Sequence, residues 1–477
     1  MFFIFFFLAA QTSGEAKRPN IIIFIADDVS WDDFGCSGNH DVQTPTIDRL
    51  SANGIRFTNV YLTASSCSPC RNSIMTGRYP HNTGAAELHT EPPEEMISFP
   101  EVLRNQGYYT AQAGKFHMGT YAERGFDVMF RDREEIGDGG EEDWLKTVQE
   151  RPREKPFFFW FAALDAHRRW GPNQFSGTHV PAEITPPFYL ADGEETRRDL
   201  AQYYDEIKRF DYYTGQVISE LRSQNILDNT LIIVMADNGR PFPHSKTRVN
   251  DRGMKTPFIV HWPAQIKHPG EICEALVSAI DIAPTLMHLA GIDQIPASFQ
   301  GFNFERLIQD PAGSFREHIF AEHNWHDYEA HERMVRSRDY MYILNSRPLK
   351  AQLGPADAIG SPSYNDLKRL EAQGNLSAVQ ADIFITPRPF EELYDCRLDS
   401  LQLLNLAAVP DYQAVLNKMR TILKQWMDET GDGIPGQLTP DWYLPLPGYI
   451  KTYQHGVRGE MPGTKGDAVH NNNKSIF

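Results

Sequence analysis

Cysteine is scarce in this chain. There are five among 477 residues: Cys36, Cys67, Cys70, Cys273 and Cys396. A disulfide scaffold of this length would need many more, and an odd count leaves at least one thiol over even if the others pair. Positive charge is also short. Lys and Arg total 46 against 63 Asp and Glu, a formal net charge of -17. That argues against non-specific nucleic-acid binding, which needs a basic face to displace phosphate counterions. It still allows a small anion held by a few buried cations in one pocket. Long apolar runs are missing too. Met1 to Ala10 reads MFFIFFFLAA, which is too short to span a bilayer as a mature helix. It has the form of the apolar core of a secretory signal over residues 1–16, although the usual basic start is missing. A buried strand is the plainer alternative. Export to the periplasm or the medium, without stable membrane insertion, is the expectation.

Composition is otherwise that of a globular protein, with 41% apolar and 23% charged residues. The length suits one large domain and a smaller companion. Apolar runs of strand length stand at Ile21–Ala26, Phe157–Leu164, Leu231–Ala236 and Phe258–Trp262. Their near-continuous apolarity predicts strands buried on both faces, as in a mostly parallel sheet. Helical spacing falls between them, at Thr44–Asn53 and Leu200–Ser223. Alternating strands and helices predict an α/β fold, with a large, mixed, mostly parallel sheet sandwiched by helices. After about residue 330 the pattern changes. Short strands around Arg333–Asn345 and Glu391–Asp395, then an amphipathic helix at Tyr412–Thr430, predict a smaller antiparallel sheet-plus-helix subdomain. The expected boundaries are 17–330 for the large domain, 331–455 for the small one, and a polar tail over 456–477.

The polar residues that follow the strands carry the chemistry. Asp27-Asp28 follows the first strand, and Asp237-Asn238-Gly239 follows the strand at Leu231. Asp165-Ala166-His167 follows the strand at Phe157, and Lys115-Phe116-His117 follows a short strand at Tyr109–Ala113. Open α/β sheets bind ligands beyond the carboxyl ends of their strands. Asp27, Asp28, Asp237 and Asn238 offer hard oxygens suited to Ca²⁺ or Mg²⁺. Helix capping is the plainer use of each Asp alone.

Cys67-Ser68-Pro69-Cys70-Arg71 precedes a helical stretch, with Pro69 in its first turn. Cys67 is therefore expected at a helix N-terminus, where free N–H groups favour an anion and depress a thiol's pKa. Arg71 can offer a fork to a sulfate or phosphate oxygen. The spacing of Cys67 and Cys70 also fits a disulfide, a redox pair or a metal site, and spacing alone does not choose.

At these residues the sequence resembles the type I sulfatases of the alkaline-phosphatase superfamily. Pro19–Gly35, Thr44–Tyr61, the C-x-P-x-R run from Cys67, Gly114–Gly119 (GKFHMG), Asp237-Asn238-Gly239 and Asp281–Gly291 each resemble a family segment. The resemblance implies that Cys67 is oxidised to formylglycine, whose hydrate is the nucleophile. A formylglycine-generating enzyme or an anaerobic equivalent would make it. It implies one Ca²⁺ on Asp27, Asp28, residue 67, Asp237 and Asn238. Arg71 would steady the formylglycine, Lys115 and Lys246 would bind sulfate, His117 would assist the diol, and His167 would serve the leaving group. Lys255 competes with Lys246 for its role. Cys70 departs from the family's usual Ser or Ala, and a Cys67–Cys70 disulfide would block the modification.

Asp165–Arg168 and Asn238–Pro243 look most like the branch with heparan N-sulfatase and bacterial polysaccharide sulfatases. The implied substrate is a sulfated carbohydrate, with an ester O-sulfate ahead of an N-sulfate. His323, His326 and Arg333 are candidate sugar contacts. A phosphonate or phosphodiester hydrolase of the same superfamily, or a glycan-binding protein with unmodified Cys67, are the alternatives.

Overall fold

The computed structural model describes residues 18–446, 448–463 and 468–475. The expected signal at 1–16 and part of the tail lie outside them. The strands, in chain order, are β1 (Asn20–Ala26), β2 (Ile55–Phe57), β3 (Val60–Tyr61), β4 (Tyr109–Gly114), β5 (Val128–Phe130), β6 (Phe157–Ala162) and β7 (Thr230–Ala236). They continue with β8 (Phe258–His261), β9 (Glu271–Cys273), β10 (Val277–Ser278), β11 (His318–His323), β12 (Glu332–Ser337), β13 (Tyr340–Asn345) and β14 (Glu391–Asp395).

The large sheet runs in the order β5-β4-β6-β1-β7-β8-β2-β9. Its pairings are parallel except those of β8, which runs against both β7 and β2. β1 is buried along its whole length. Alternation of side chains across the sheet sends its residues into two different cores. Ile21, Ile23 and Ile25 meet Phe158, Trp160, Ile233 and Met235, with Ile74 and Met75 from the helix Cys67–Thr76. Ile22 and Phe24 meet Phe159, Phe161 and Val234, with Leu200, Ile207 and Phe210 from the helix Glu194–Ser223. Helices thus cover both faces, as near-continuous apolar strands require.

The small sheet is antiparallel, in the order β11-β12-β13-β14. It starts at His318, upstream of the boundary expected at 330, because the short run HIFAEH pairs with β12. The helix Gln413–Thr430 lays Leu416, Met419, Leu423 and Trp426 on Phe320, Val335, Tyr342 and Leu393. Trp426 stacks on Phe320 with ring centroids 4.8 Å apart. The described part of the tail returns to the large domain. Buried Arg78 donates to Val469 O at 2.8 Å and Asn471 O at 2.9 Å. Among the described residues, no helix is long and apolar enough to cross a membrane.

Candidate active site

Four neighbouring parallel strands, β4, β6, β1 and β7, end at one edge of the large sheet. Their ladder continues past the strand ends. Lys115 N donates to Ala162 O at 2.7 Å, Asp27 N to Asp165 O at 2.7 Å, and Ala166 N to Asp27 O at 2.7 Å. This backbone pairing sets the loops that carry the functional side chains. Gly114 (φ +99°) turns the chain into Lys115, and a Cβ there would stand 1.9 Å from Ala162 O. Only glycine fits that close approach.

The helix Cys67–Thr76 aims its N-terminus at this edge, with Ser66 extended before it. Cys67 is buried, its Sγ 3.8 Å from Asp27 Oδ1 and 4.0 Å from Asp28 Oδ1. Asn238 Nδ2 stands 3.8 Å from the same sulfur and 3.0 Å from Asp237 Oδ1, and also contacts Asp28. Asp27, Cys67 and Asp237 bring their ligand atoms within 4.8 Å of one another. The Asn238 amide oxygen is buried without a hydrogen-bond partner among the described residues. Three buried carboxyls and an amide side chain around residue 67 fit a hard divalent cation, although Asp28 also stands with His167 and Asp357 in a second group of possible ligands.

Cations surround the cluster. Arg71 Nε donates to Asp237 Oδ2 at 2.8 Å and Nη1 to Lys115 O at 3.1 Å. Lys115 pairs with Asp27 Oδ2, and Lys246 Nζ lies 2.7 Å from Asp28 Oδ2. Lys246 is buried at the site, whereas Lys255 lies over the Trp31 ring at 4.3 Å. The carboxyls respond differently. Burial would raise Asp27, but Lys115, His167 and Arg71 hold it below its ordinary value. Burial raises Asp28 well above its usual range, and Asp27 and Asp237 add to the rise against Lys246. One carboxyl of the set is thus hard to ionise without further positive charge.

The thiol differs from expectation. Burial pushes Cys67 up to about 12, with Asp27 and Asp237 adding to it, despite Lys115 and Lys246. The helix N-terminus does not depress it, because desolvation and neighbouring carboxylates outweigh a terminal dipole. Cys70 does not pair with it. All five cysteines are free, and Cys70 is buried in the core that holds Ile74 and Met75.

His117 Nε2 lies 2.9 Å from Nδ1 of His89, a residue that sequence pattern did not single out. Burial, then Lys115 and His89, push His117 down to about 2. His167 Nε2 sits 3.8 Å from Asp28 Oδ2 and 3.8 Å from Asp357 Oδ2. Burial, then Lys246, lowers it to about 4. Its loop is braced by Arg209, which grips Asp165 at 2.6 Å through both Nε and Nη2.

Asp27, Cys67, Lys115, His117, His167, Lys246 and His326 line one cleft of about 600 Å³. His326 Nδ1 is 2.7 Å from Ser66 Oγ, beside Cys67. His323 instead faces a smaller neighbouring pocket and bonds Glu332 at 2.9 Å. Arg333 does not reach the cleft. It is fully buried and gripped by Asp432, with Nη2 2.9 Å from Oδ1. Its expected place in a sugar subsite gives way to this structural pair. Asp357, from the short helix Ala356–Ile359, and Tyr443 and Tyr449, from a loop, also line the cleft.

The chain is similar to known proteins along most of its length. Residues 19–292 match the Sulfatase family model, and residues 244–344 match the model for the C-terminal part of N-sulphoglucosamine sulphohydrolase. An ulvan-active sulfatase of Formosa agariphila is 28% identical over 432 residues, covering 88% of this chain and 82% of that protein. Human N-sulphoglucosamine sulphohydrolase is 27% identical, covering 90% and 93%. Among solved structures, a protein in complex with its substrate D-glucosamine-2-N,6-O-disulfate superposes with a TM-score of 0.69 at 19% identity, covering 86% and 98%. The phosphonate monoester hydrolase of Agrobacterium radiobacter superposes at 0.66 and 18%, covering 86% and 96%. The chain belongs to the sulfatase family of sulfuric ester hydrolases, built on the alkaline-phosphatase-like fold.

Proposed function

We propose that this protein hydrolyses sulfate esters of a sulfated carbohydrate, with Cys67 converted to formylglycine and one Ca²⁺ held by Asp27, Asp28, Asp237, Asn238 and the modified residue 67. One observation carries this reading. A buried helix N-terminus meets three carboxyls, an amide and two lysines at adjacent strand ends. When bound, Ca²⁺ supplies positive charge against the carboxylates and the developing charge on sulfuryl oxygens. The formylglycine hydrate would supply the nucleophilic oxygen, whereas the unmodified Cys67 thiol, pushed up to about 12 by burial, stays protonated at neutral pH.

The chain's own side chains do the rest. Lys115 and Lys246 are preorganised by Asp27 and Asp28 and offer N–H donors to sulfate oxygens. Arg71, fixed by Asp237 and the Lys115 carbonyl, orients residue 67. His117, kept neutral by burial and Lys115 and held by His89 at its Nε2, assists the diol by hydrogen bonding rather than by carrying charge. His167 lines the same cleft, 3.8 Å from Asp28, and serves the leaving oxygen. His326 and His323 stand at and beyond the cleft wall as sugar-side residues.

The substrate proposed first is an O-sulfate ester on a polysaccharide or oligosaccharide. An N-sulfate is the second reading, favoured by the match of residues 244–344. Likeness to a phosphonate monoester hydrolase keeps phosphoryl transfer as a comparison. Export, and maturation by a formylglycine-generating enzyme or anaerobic equivalent, belong to this proposal.

Mass spectrometry of the Cys67 peptide from a maturation-competent host tests it, together with turnover of an aryl sulfate against an aryl phosphate diester. Formylglycine and preferred sulfate turnover are expected. An unmodified thiol would leave a glycan-binding protein, and preferred diester turnover would leave a phosphohydrolase.

A further inference from the structure

The cleft is larger than a sulfate and its immediate ester need. Its volume of about 600 Å³ is on the scale of sites that enclose a drug-sized molecule. Four arginines line it, and they differ in one respect. Arg168 is committed to Asp199 by two bonds of 2.7 Å, and Arg209 to Asp165 by two of 2.6 Å. Arg133 and Arg169 line the same cleft, are exposed, and make no hydrogen bond or ion pair among the described residues. Of the acids on these walls, Glu206 is taken by Arg209 at 2.7 Å and Asp357 lies 3.9 Å from Lys246. Asp138 is a further acid on the same cleft.

Another wall is aromatic. Tyr443 and Tyr449 pack edge to face with centroids 5.2 Å apart. They sit on a hairpin-like turn in which Leu444 N donates to Ile450 O at 2.8 Å and Tyr443 bridges to Lys451. The turn is docked on the cleft by Trp442 N to Asp327 O at 3.0 Å and by Asp441, which accepts from Glu329 N at 2.7 Å. The tyrosines offer apolar faces with a polar tip, the surface on which a sugar ring stacks.

Two exposed guanidinium groups on the wall of the cleft, not held by any carboxylate among the described residues, are available to an anion that is not part of the chain. We propose that Arg133 and Arg169 form a second anion subsite. It takes a carboxylate or a second sulfate on the sugar next to the one that loses sulfate, while Tyr443 and Tyr449 carry that sugar's ring. The substrate is then a polyanionic oligosaccharide rather than a singly sulfated one. This rests on the sulfatase reading above.

The test is equilibrium binding to the Cys67→Ala protein in Ca²⁺, with three disaccharides that share one sulfated sugar. Their neighbouring sugar is neutral, a uronic acid, or sulfated. At least one anionic probe should bind about 10-fold or more tighter than the neutral one, as one charge-assisted contact supplies. Which of the two does so names the group. In Arg133→Gln and Arg169→Gln that ratio should fall toward one. Equal affinities in the parent, no binding of any probe, or a ratio that survives both substitutions overturns the subsite. Turnover of an aryl sulfate by the wild-type protein is read separately. If it proceeds while the ratio is absent, the subsite fails alone; if it does not, the sulfatase reading beneath it fails.

Discussion

His89 Nδ1 faces His117 Nε2 at 2.9 Å. Two imidazole nitrogens at that distance share one proton, so one donates and the other accepts. His89 reaches this place through a left-handed backbone (φ +62°), with its N–H on Ser68 Oγ at 3.0 Å. Since His117 is pushed down to about 2, it is neutral near pH 7, and His89 selects which ring nitrogen carries its proton.

Replacing His89 by Ala should therefore lower kcat for an aryl sulfate by roughly 10- to 100-fold, the usual effect of losing an orienting partner. KM should move little. His89→Gln, which keeps a hydrogen-bonding group, should recover part of the rate. Steady-state kinetics of the two variants check this, and equal losses in both would assign His89 a merely structural role.

Removing divalent cation should loosen the fold as well as stop turnover. Asp27, Asp28 and Asp237 are buried together, and burial with mutual repulsion raises Asp28 well above its ordinary range. A cation present at 100 times its Kd contributes about 2.7 kcal/mol to folding. Thermal melting with EDTA, then with added Ca²⁺, should show a lower Tm that the ion restores.

Glu206 sets a pH dependence of stability. Burial, then Asp165, pushes its carboxyl up to about 9. The unfolded chain ionises this group near its ordinary pKa, while the folded chain keeps the proton. Below that ordinary value both states are protonated and nothing is lost; between it and about 9 the fold is progressively destabilised. Glu206→Gln should thus be near neutral at pH 5 and more stable than wild type at pH 8, by on the order of 1–3 kcal/mol. Denaturant unfolding at both pH values measures it.

Trp426 holds the small sheet to its helix. Its ring stacks on Phe320 at 4.8 Å and meets Tyr79 edge-on at 5.0 Å, with no exposure. Trp426→Ala should cost about 3–5 kcal/mol. Because Tyr79 and His81 lie just beyond the helix Cys67–Thr76, the loss should lower activity by reducing the folded fraction, and kcat per folded molecule should hold. Chemical denaturation with active-site counting separates the two.

Much of the frame was legible from local pattern. Apolar runs marked β1, β6, β7 and β8, and the helix expected at Tyr412–Thr430 stands at Gln413–Thr430. The helix expected from Leu200 starts earlier, at Glu194, since its first turn is too polar to show helical periodicity. Polar residues directly after apolar runs gave away Asp27, Asp28, Asp237 and Lys115, because a parallel sheet gathers its strand ends on one edge. Arg333 shows the limit. It looked like a cleft residue among histidines and aromatics, yet its partner Asp432 is 99 residues away in sequence.

By itself, the sequence determined the alternation of strands and helices, and with it which residues share the sheet's carboxyl edge. Those follow from periodicity and from chain direction in parallel strands. Only the tertiary structure decided that the Cys67 thiol is raised rather than lowered, that Cys70 is buried in the core, and that among the described residues Arg168 and Arg209 are paired while Arg133 and Arg169 are not. Desolvation and ion pairing depend on groups brought together from distant parts of the chain, and no local pattern carries that information.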